Sequence, residues 1–556
     1  MPNNYGRSKL AGFLKTAENY FHTIKYIKLS QIYFRVKKRF GVPVPRIKIA
    51  YNASVTGQWV SYPLYDQKIF KNLVVEFLNA KGSISSSDDW NDESKDKLWL
   101  YNLHYFEGLC AIDGDVRVPQ QLELIERWIL ENPAPIGNGW EPYPSSLRTV
   151  NWIKFFLSSD VPAQFVLNSL AQQADFLLQN LERHILGNHL FSNAKALIFA
   201  GLYLDGTDAD KWLRVGLEIY EYELDEQVLD DGGNFELSPM YHSIMLVDLL
   251  DLINIFTVYP LRISGDIVES TQEAASKMLG WLQVMTHEDG EISFFNDAAI
   301  GIAAKPSRIH EYAGLLSVEL PKVRQDRLIT LAESGYSRIN MLSHSVYFDH
   351  AMVGPDYLPG HAHADSLSLE WSVGKQRVLV NSGTSMYGVS DERLIQRGTA
   401  AHNTVVVDGE NSSEVWSGFR VARRAYTSVT ELSEVSNKVK IMASHNGYQR
   451  LKGKVTHTRS IEADDSGIEI KDELLGKWNT AEAMYHLHPD IRVEVLTEHS
   501  VRFFLPNEQI VLVESSGEIV VSEGSWYPKF GVSVPNKHLK IVFGSPVLNT
   551  SFSFKG

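Results

Sequence analysis

The sequence predicts an α+β multidomain protein in which a helical domain of serial hairpins precedes an antiparallel β-sandwich. Three observations carry this reading. At 556 residues the chain exceeds the length over which one hydrophobic core keeps growing. Over residues 99–334 apolar side chains recur at helical spacing. After Gly335 the period switches to two, the spacing of strands with one buried face.

The elements follow in order. Residues 7–40 read as one or two helices that end at the Gly41-Val-Pro-Val-Pro45 breaker. Residues 1–98 as a whole form a basic helical segment and a connecting region, with an exposed loop expected over Ser83–Asp92. The helical domain, 99–334, shows runs such as Leu122-Ile125-Trp128-Ile129 and Met245-Leu249-Leu250-Leu252-Ile253. Many hairpins in series point to an incomplete (α/α) toroid, while periodicity by itself leaves other helical arrays open. In the sandwich domain, 335–556, Leu367, Leu369, Trp371 and Val373 alternate with Ser366, Ser368, Glu370 and Ser372. Thr404–Val407 runs into an Asp408-Gly409 turn, and alternation continues to the C-terminus.

Composition narrows the function. Cys110 is the sole cysteine, which excludes an intrachain disulfide and a cysteine metal cluster. No stretch approaches the ~20 apolar residues of a membrane span, and no secretory signal stands at the N-terminus. A cytoplasmic or inner-membrane-associated location is therefore expected, with a periplasmic one as the alternative. The formal charge of −14 is uneven: Met1–Lys48 holds eleven Lys/Arg and one acid, Glu18, so this segment is +10 and the remainder −24. The acidic bulk argues against nucleic-acid binding. The basic segment is either a solvated first helix or a peripheral contact with an anionic membrane.

Four clusters offer chemistry. Gly187-Asn188-His189, between two helical runs, sets an amide beside an imidazole; a helix cap with a surface histidine is the plainer alternative. Asp230–His242 places Glu236 in a Gly-rich loop, then Ser238-Pro239 opens a helix with Tyr241 in its first turn. The positive helix end there favours the phenolate, unless Tyr241 is a packing residue. Gly360-His361-Ala-His363-Ala-Asp365 precedes the first alternating strand, and His-X-His in extended backbone turns both imidazoles to one face. His402-Asn-Thr-Val starts a second strand that can converge with His363; the alternative is a pair of buried histidines bonded to backbone.

These clusters, together with Trp140-Glu-Pro-Tyr-Pro-Ser-Ser-Leu-Arg148-Thr-Val-Asn151-Trp152, resemble the heparinase II/III superfamily in their joint order over roughly residues 99–480. That group includes heparinases, heparan-sulfate lyases and several alginate lyases. The resemblance implies a toroid followed by a sandwich, and an enzyme that cleaves an acidic polysaccharide by β-elimination. It implies that Asn188 neutralises the uronate carboxylate with His189 beside it, that Tyr241 is the general acid and also a candidate base, and that His361 is the base or a carboxylate partner. His363 and His402 match positions that hold a structural metal, often zinc, in several relatives. Asn381 stands where those relatives have an aspartate, and a neutral amide is a poor zinc ligand; a metal-free site with Asn381 bonded to the histidines is the alternative. No cofactor is required for the chemistry itself.

The chemistry explains the residue types. The C5 proton of a uronate must leave, its charge spreads onto the carboxylate, and the O4 oxygen must be protonated. A donor at the carboxylate contributes ~3 kcal/mol to the transition state, and a placed acid and base each contribute roughly 10²–10⁴ in rate. An anionic polysaccharide also calls for cations in the cleft: Arg148, Lys154, Arg393, Arg397, Arg420, Arg423 and Arg424 are candidates, with Glu236 and Tyr387 as further sugar contacts. A glycoside hydrolase would instead need two opposed carboxylates, for which Glu141, Asp230, Asp231, Glu236 and Asp297 are available. A non-catalytic polysaccharide-binding or assembly protein is the third reading. The preferred substrate is a bacterium's own surface polysaccharide.

Overall fold

A computed structural model describes residues 15–39, 41, 50–70, 73–160, 162–322 and 325–555. The expected breaker, beyond Gly41 itself, and the basic residues Arg7, Lys9, Arg46 and Lys48 lie outside the described residues.

The helical domain forms where the period and the capping residues agree. Pro142, Pro239 and Pro306 open helices Pro142–Leu157, Pro239–Val258 and Pro306–Leu315, at a position where a missing N–H costs nothing. The Ser238 and Ser264 hydroxyls accept from the Tyr241 and Ile267 backbone N–H groups and cap their helices. Gly187–Tyr203 and Thr207–Gln227 pack closely because Gly201 lacks a side chain: a Cβ there would meet the Leu213 backbone nitrogen at 2.5 Å. One apolar core runs through the domain, with Trp90, Phe106, Trp128, Trp140 and Trp152 in ring contact at its N-terminal end.

Three expectations are corrected here. The segment expected as an exposed loop is exposed over Ser85–Asp88, but it also carries Trp90, which is fully buried within the short helix Ser87–Asn91 and donates to Glu131. Pro239–Val258 is, by length and hydropathy, apolar enough to cross a membrane, contrary to the sequence reading. It is the core helix of the toroid, mostly buried, and its Asp248 and Asp251 are ion-paired to lysines of neighbouring helices. The β-structure of the C-terminal domain begins at Leu328–Leu331, before Gly335, because that strand pairs with Tyr336–Asn340; a short hairpin of Val74–Phe77 with Ala80–Ser83 precedes the toroid.

A five-stranded antiparallel meander, Leu328–Leu331 to Gln376–Leu379 in sequence order, abuts the toroid. An eight-stranded sheet, a four-stranded sheet and a two-stranded ribbon of Val415–Trp416 with Arg420–Val421 complete the β-region, and residues of the three larger sheets share one core. Strand Leu369–Val373 is buried on both faces rather than one. Its polar face meets the toroid, where Glu370 and Ser372 bind His287. The β-domain is thereby locked against the helices, and the loops following both are brought to one cleft.

Candidate active site

The junction of the two domains holds a cleft of about 790 Å³. Helix residues Tyr143, Asn188, His189 and Tyr241 line one side, and His361, Tyr387, Phe419 and Phe530 close it from the β-domain.

Asn188 and His189 occupy the first turn of Gly187–Tyr203. The turn is possible because Gly187 has φ +58°, and a Cβ there would come within 2.5 Å of the Leu358 side chain. His189 Nδ1 lies 3.1 Å from Glu182 Oε1, and its ring rests on Tyr143. Burial opposes the charged imidazole, but the charge and hydrogen bond of Glu182 outweigh it, so the His189 pKa is raised. Glu182 thus favours the protonated form of an imidazole that faces the cleft beside the Asn188 amide, a pairing suited to a carboxylate.

Tyr241 stacks on His361 with ring centroids 3.8 Å apart, and its hydroxyl is 2.9 Å from that of Tyr387. Burial, with Tyr387 and Asp297 nearby, holds its pKa well above 10. The expected phenolate is therefore disfavoured: desolvation outweighs the helix end, and Tyr241 stays a protonated donor.

The organising group is Asp297, which the sequence reading offered only as a hydrolase carboxylate. It accepts from His361 Nδ1 at 2.9 Å, from His363 Nε2 at 2.8 Å and from Thr384 Oγ1 at 3.2 Å, and it is gripped by both terminal nitrogens of Arg393. Burial would raise its pKa, yet Arg393 and the two imidazoles hold it well below the usual carboxylate range. In the neutral imidazole, the hydrogen bond to an ionised Asp297 places the proton of His361 on Nδ1 and leaves Nε2 as the acceptor. No local motif marks Asp297, since its partners lie more than 60 residues away in sequence. Tyr143 and Glu182 were likewise missed; Tyr143 stood in the quoted Trp140–Trp152 segment without a role.

Several expected contacts lie elsewhere. Arg148 is fully buried over Trp128, 3.7 Å from the ring centroid, and donates to Gln173 and the Gly139 carbonyl. Arg397 is equally buried and donates to the carbonyls of Ala362, Ser417 and Gly418. Both hold the scaffold instead of the sugar, because long stems and planar heads suit aromatic faces and clustered carbonyls. Glu236 sits behind the cleft wall, 3.6 Å from His361 Nε2, with its pKa raised by burial. Arg393 serves Asp297; Arg423 pairs with Glu414, Arg424 with Asp356, and Arg420 stacks on Tyr20 and Trp416. Tyr387 does line the cleft. So does Lys154, bound to Asp251 at 2.9 Å.

The His-X-His expectation changes in one member. His363 Nδ1 and His402 Nε2 are 3.2 Å apart, and Asp365 brings a carboxylate into the same group, with all three ligand atoms within 4.8 Å of one another. Asn381 does not bond the histidines: its Oδ1 accepts from the Asn403 N–H, and its Nδ2 is buried without a partner among the described residues.

Fold and cleft together define a toroid-plus-sandwich protein whose Asn-His turn, tyrosine and Asp-held histidine meet between the domains. The chain belongs to the heparinase II/III-like superfamily: the family described as Heparinase II/III N-terminus matches residues 121–318, and Heparinase II/III-like, C-terminal matches 324–554. The heparin-sulfate lyase of Bacteroides stercoris is 26% identical over 313 residues, covering 52% of this chain and 44% of that protein. The chain spans about half the length of the curated relatives it matches. A solved heparinase III superposes with TM-score 0.66 at 18% identity, covering 99% of this chain and 92% of that one. The heparan sulfate lyase of Pedobacter heparinus gives 0.60 at 17%, covering 95% and 88%. These structures share the fold.

Proposed function

We propose that this protein is a polysaccharide lyase that cleaves a uronic-acid polysaccharide by β-elimination and leaves a 4,5-unsaturated uronate end. The observation that carries the reading is the convergence of Asn188, His189, Tyr241 and His361 on one cleft. His361 Nε2 takes the C5 proton, Asn188 and protonated His189 stabilise the charge that spreads onto the carboxylate, and Tyr241 protonates O4. Hydrolysis fits less well. The two carboxylates nearest His361 are Glu236, behind the wall, and Asp297, bound by Arg393, so neither flanks a sugar from opposite sides.

The Tyr241–His361 stack bears on the sugar. Tyr241 and His361, one from each domain, stack side by side and reach the cleft at the same point, so the C5–H and C4–O bonds they serve lie on one face of the ring. D-glucuronate and D-mannuronate have that relation; D-galacturonate has the opposite one. Charge narrows the substrate further. Among the described residues no arginine lines the cleft, and four of its five lysines are ion-paired: Lys68, Lys97, Lys154 and Lys195. A densely sulfated chain would find few free cations, which favours an unsulfated polyuronate such as those of bacterial surfaces. An ultraviolet scan with a polysaccharide panel tests this. New absorbance of a conjugated unsaturated uronate is expected with unsulfated glucuronate polymers, at least tenfold faster than with heparin, and absent with polygalacturonate. New reducing ends without that absorbance would establish hydrolysis instead.

His363, Asp365 and His402 would hold a structural divalent metal, since two imidazoles and a carboxylate suit zinc and their ligand atoms all lie within 4.8 Å of one another. The metal would tie the strand start after His361 to the turn before His402 and take no part in proton transfer. About one equivalent of metal is expected in purified protein by elemental analysis, lost in His402→Ala. Protein that is fully folded and metal-free after growth in zinc-supplemented medium would overturn it.

A further inference from the structure

We infer that the N-terminal helical segment is a docking face for an anionic lipid bilayer. Residues 15–24 are helical, and a turn leads into the helix Leu29–Lys38. Leu29, Ile32, Tyr33 and Val36 recur at i, i+3, i+4 and i+7, which places them within an arc of about 100° on one helix face. That face is bare: Leu29 is 84% exposed and Tyr33 61%, and Phe21 of the preceding helix adds 68%.

The segment cannot turn this face inward, because its other side is fixed to both domains. Gln31 is buried and reaches the Ile185 carbonyl, and Lys28 pairs with Glu226 at 2.8 Å, both on the toroid. On the β-domain side Thr23 bonds the Val421 carbonyl and accepts from Trp416, and Arg424 lies 3.9 Å from the Tyr26 ring centroid.

Charge identifies the occupant. Lys37 and Arg39 flank the apolar arc at about 80° to either side, and with Lys25 and Arg35 they are exposed and have no carboxylate partner among the described residues. The first 48 residues carry +10 and the rest −24, so an anionic surface attracts this end and repels the others. A bare apolar stripe edged by cations is the build of a helix lying in the lipid interface. A second copy fits poorly, since a two-fold contact would set these cations against one another. Arg420, stacked on Tyr20, is the neighbour of Phe419, which lines the cleft. The preceding helix therefore packs near the rim of the cleft.

Co-sedimentation of the full chain with vesicles tests the inference. Pelleting is expected with phosphatidylcholine vesicles containing phosphatidylglycerol, not with phosphatidylcholine alone, and is expected to fall with added salt. Leu29→Glu/Tyr33→Glu should abolish it while thermal unfolding stays unchanged, because both side chains already face solvent. Lys37→Gln and Arg39→Gln should each weaken binding about fivefold. Wild type that stays in the supernatant at low salt, pellets equally with neutral vesicles, or pellets equally as the double glutamate variant overturns the inference. So does a dimer in sedimentation velocity that the double variant dissolves, which would assign the face to a second copy.

Discussion

Tyr241→Phe is expected to lower kcat for elimination by about 10²–10⁴, the usual contribution of a placed general acid. The phenol stacks directly on His361 and lines the cleft, and burial keeps its pKa well above 10, so it is protonated throughout the working range. The change removes one oxygen and one hydrogen bond, to Tyr387. The stability cost should stay near ~1 kcal/mol, and substrate affinity should hold, because Asn188 and His189 are untouched. Steady-state kinetics with the best polymer of the panel checks both parts. A variant retaining more than a tenth of the wild-type kcat would remove Tyr241 from the role of acid and pass it to Tyr387, its hydrogen-bond partner.

Asp297→Asn should be more damaging, through two separable effects. An amide no longer fixes the proton of His361 on Nδ1, and loss of such an orienting carboxylate lowers kcat by about 10³–10⁴. It also leaves the Arg393 guanidinium buried without its counter-charge, and breaking a buried pair costs about 3–5 kcal/mol. Denaturant unfolding and kinetics on Asp297→Asn and on Asp297→Asn/Arg393→Met separate the two. The double variant should recover much of the stability and little of the rate. Recovery of both would show that Asp297 serves the scaffold alone.

The chemistry-bearing clusters were legible because each is a short local pattern tied to an element start. Asn188-His189 opens a helix, Ser238-Pro239 sets Tyr241 in a first turn, and His361-Ala-His363 precedes a strand. The arginines were misread for a physical reason. Arg148 and Arg397 have the charge a polyanion site needs, but charge says nothing about depth, and an indole face and backbone carbonyls draw both inside. The phenolate expected at Tyr241 failed the same way: the helix end is a local feature, whereas the burial that outweighs it comes from His361 and Tyr387 of the other domain. The third member of the His363 group could not be chosen by motif, since Asp365 and Asn381 are both near in sequence and only packing turns the carboxylate toward the histidines.

The sequence by itself determined the switch from helical to strand period, the placing of the Asn-His, tyrosine and His-X-His groups, and the basic N-terminal segment. Those are properties of neighbouring residues, and helix and strand spacing write them directly into the chain. Only the tertiary structure decided that Asp297 holds His361 across 64 residues, that Tyr241 stacks on that same ring, and that the arginines turn inward. The pairings of His361 join elements of different domains, and all of these contacts are set by which surfaces bury together rather than by any spacing along the chain.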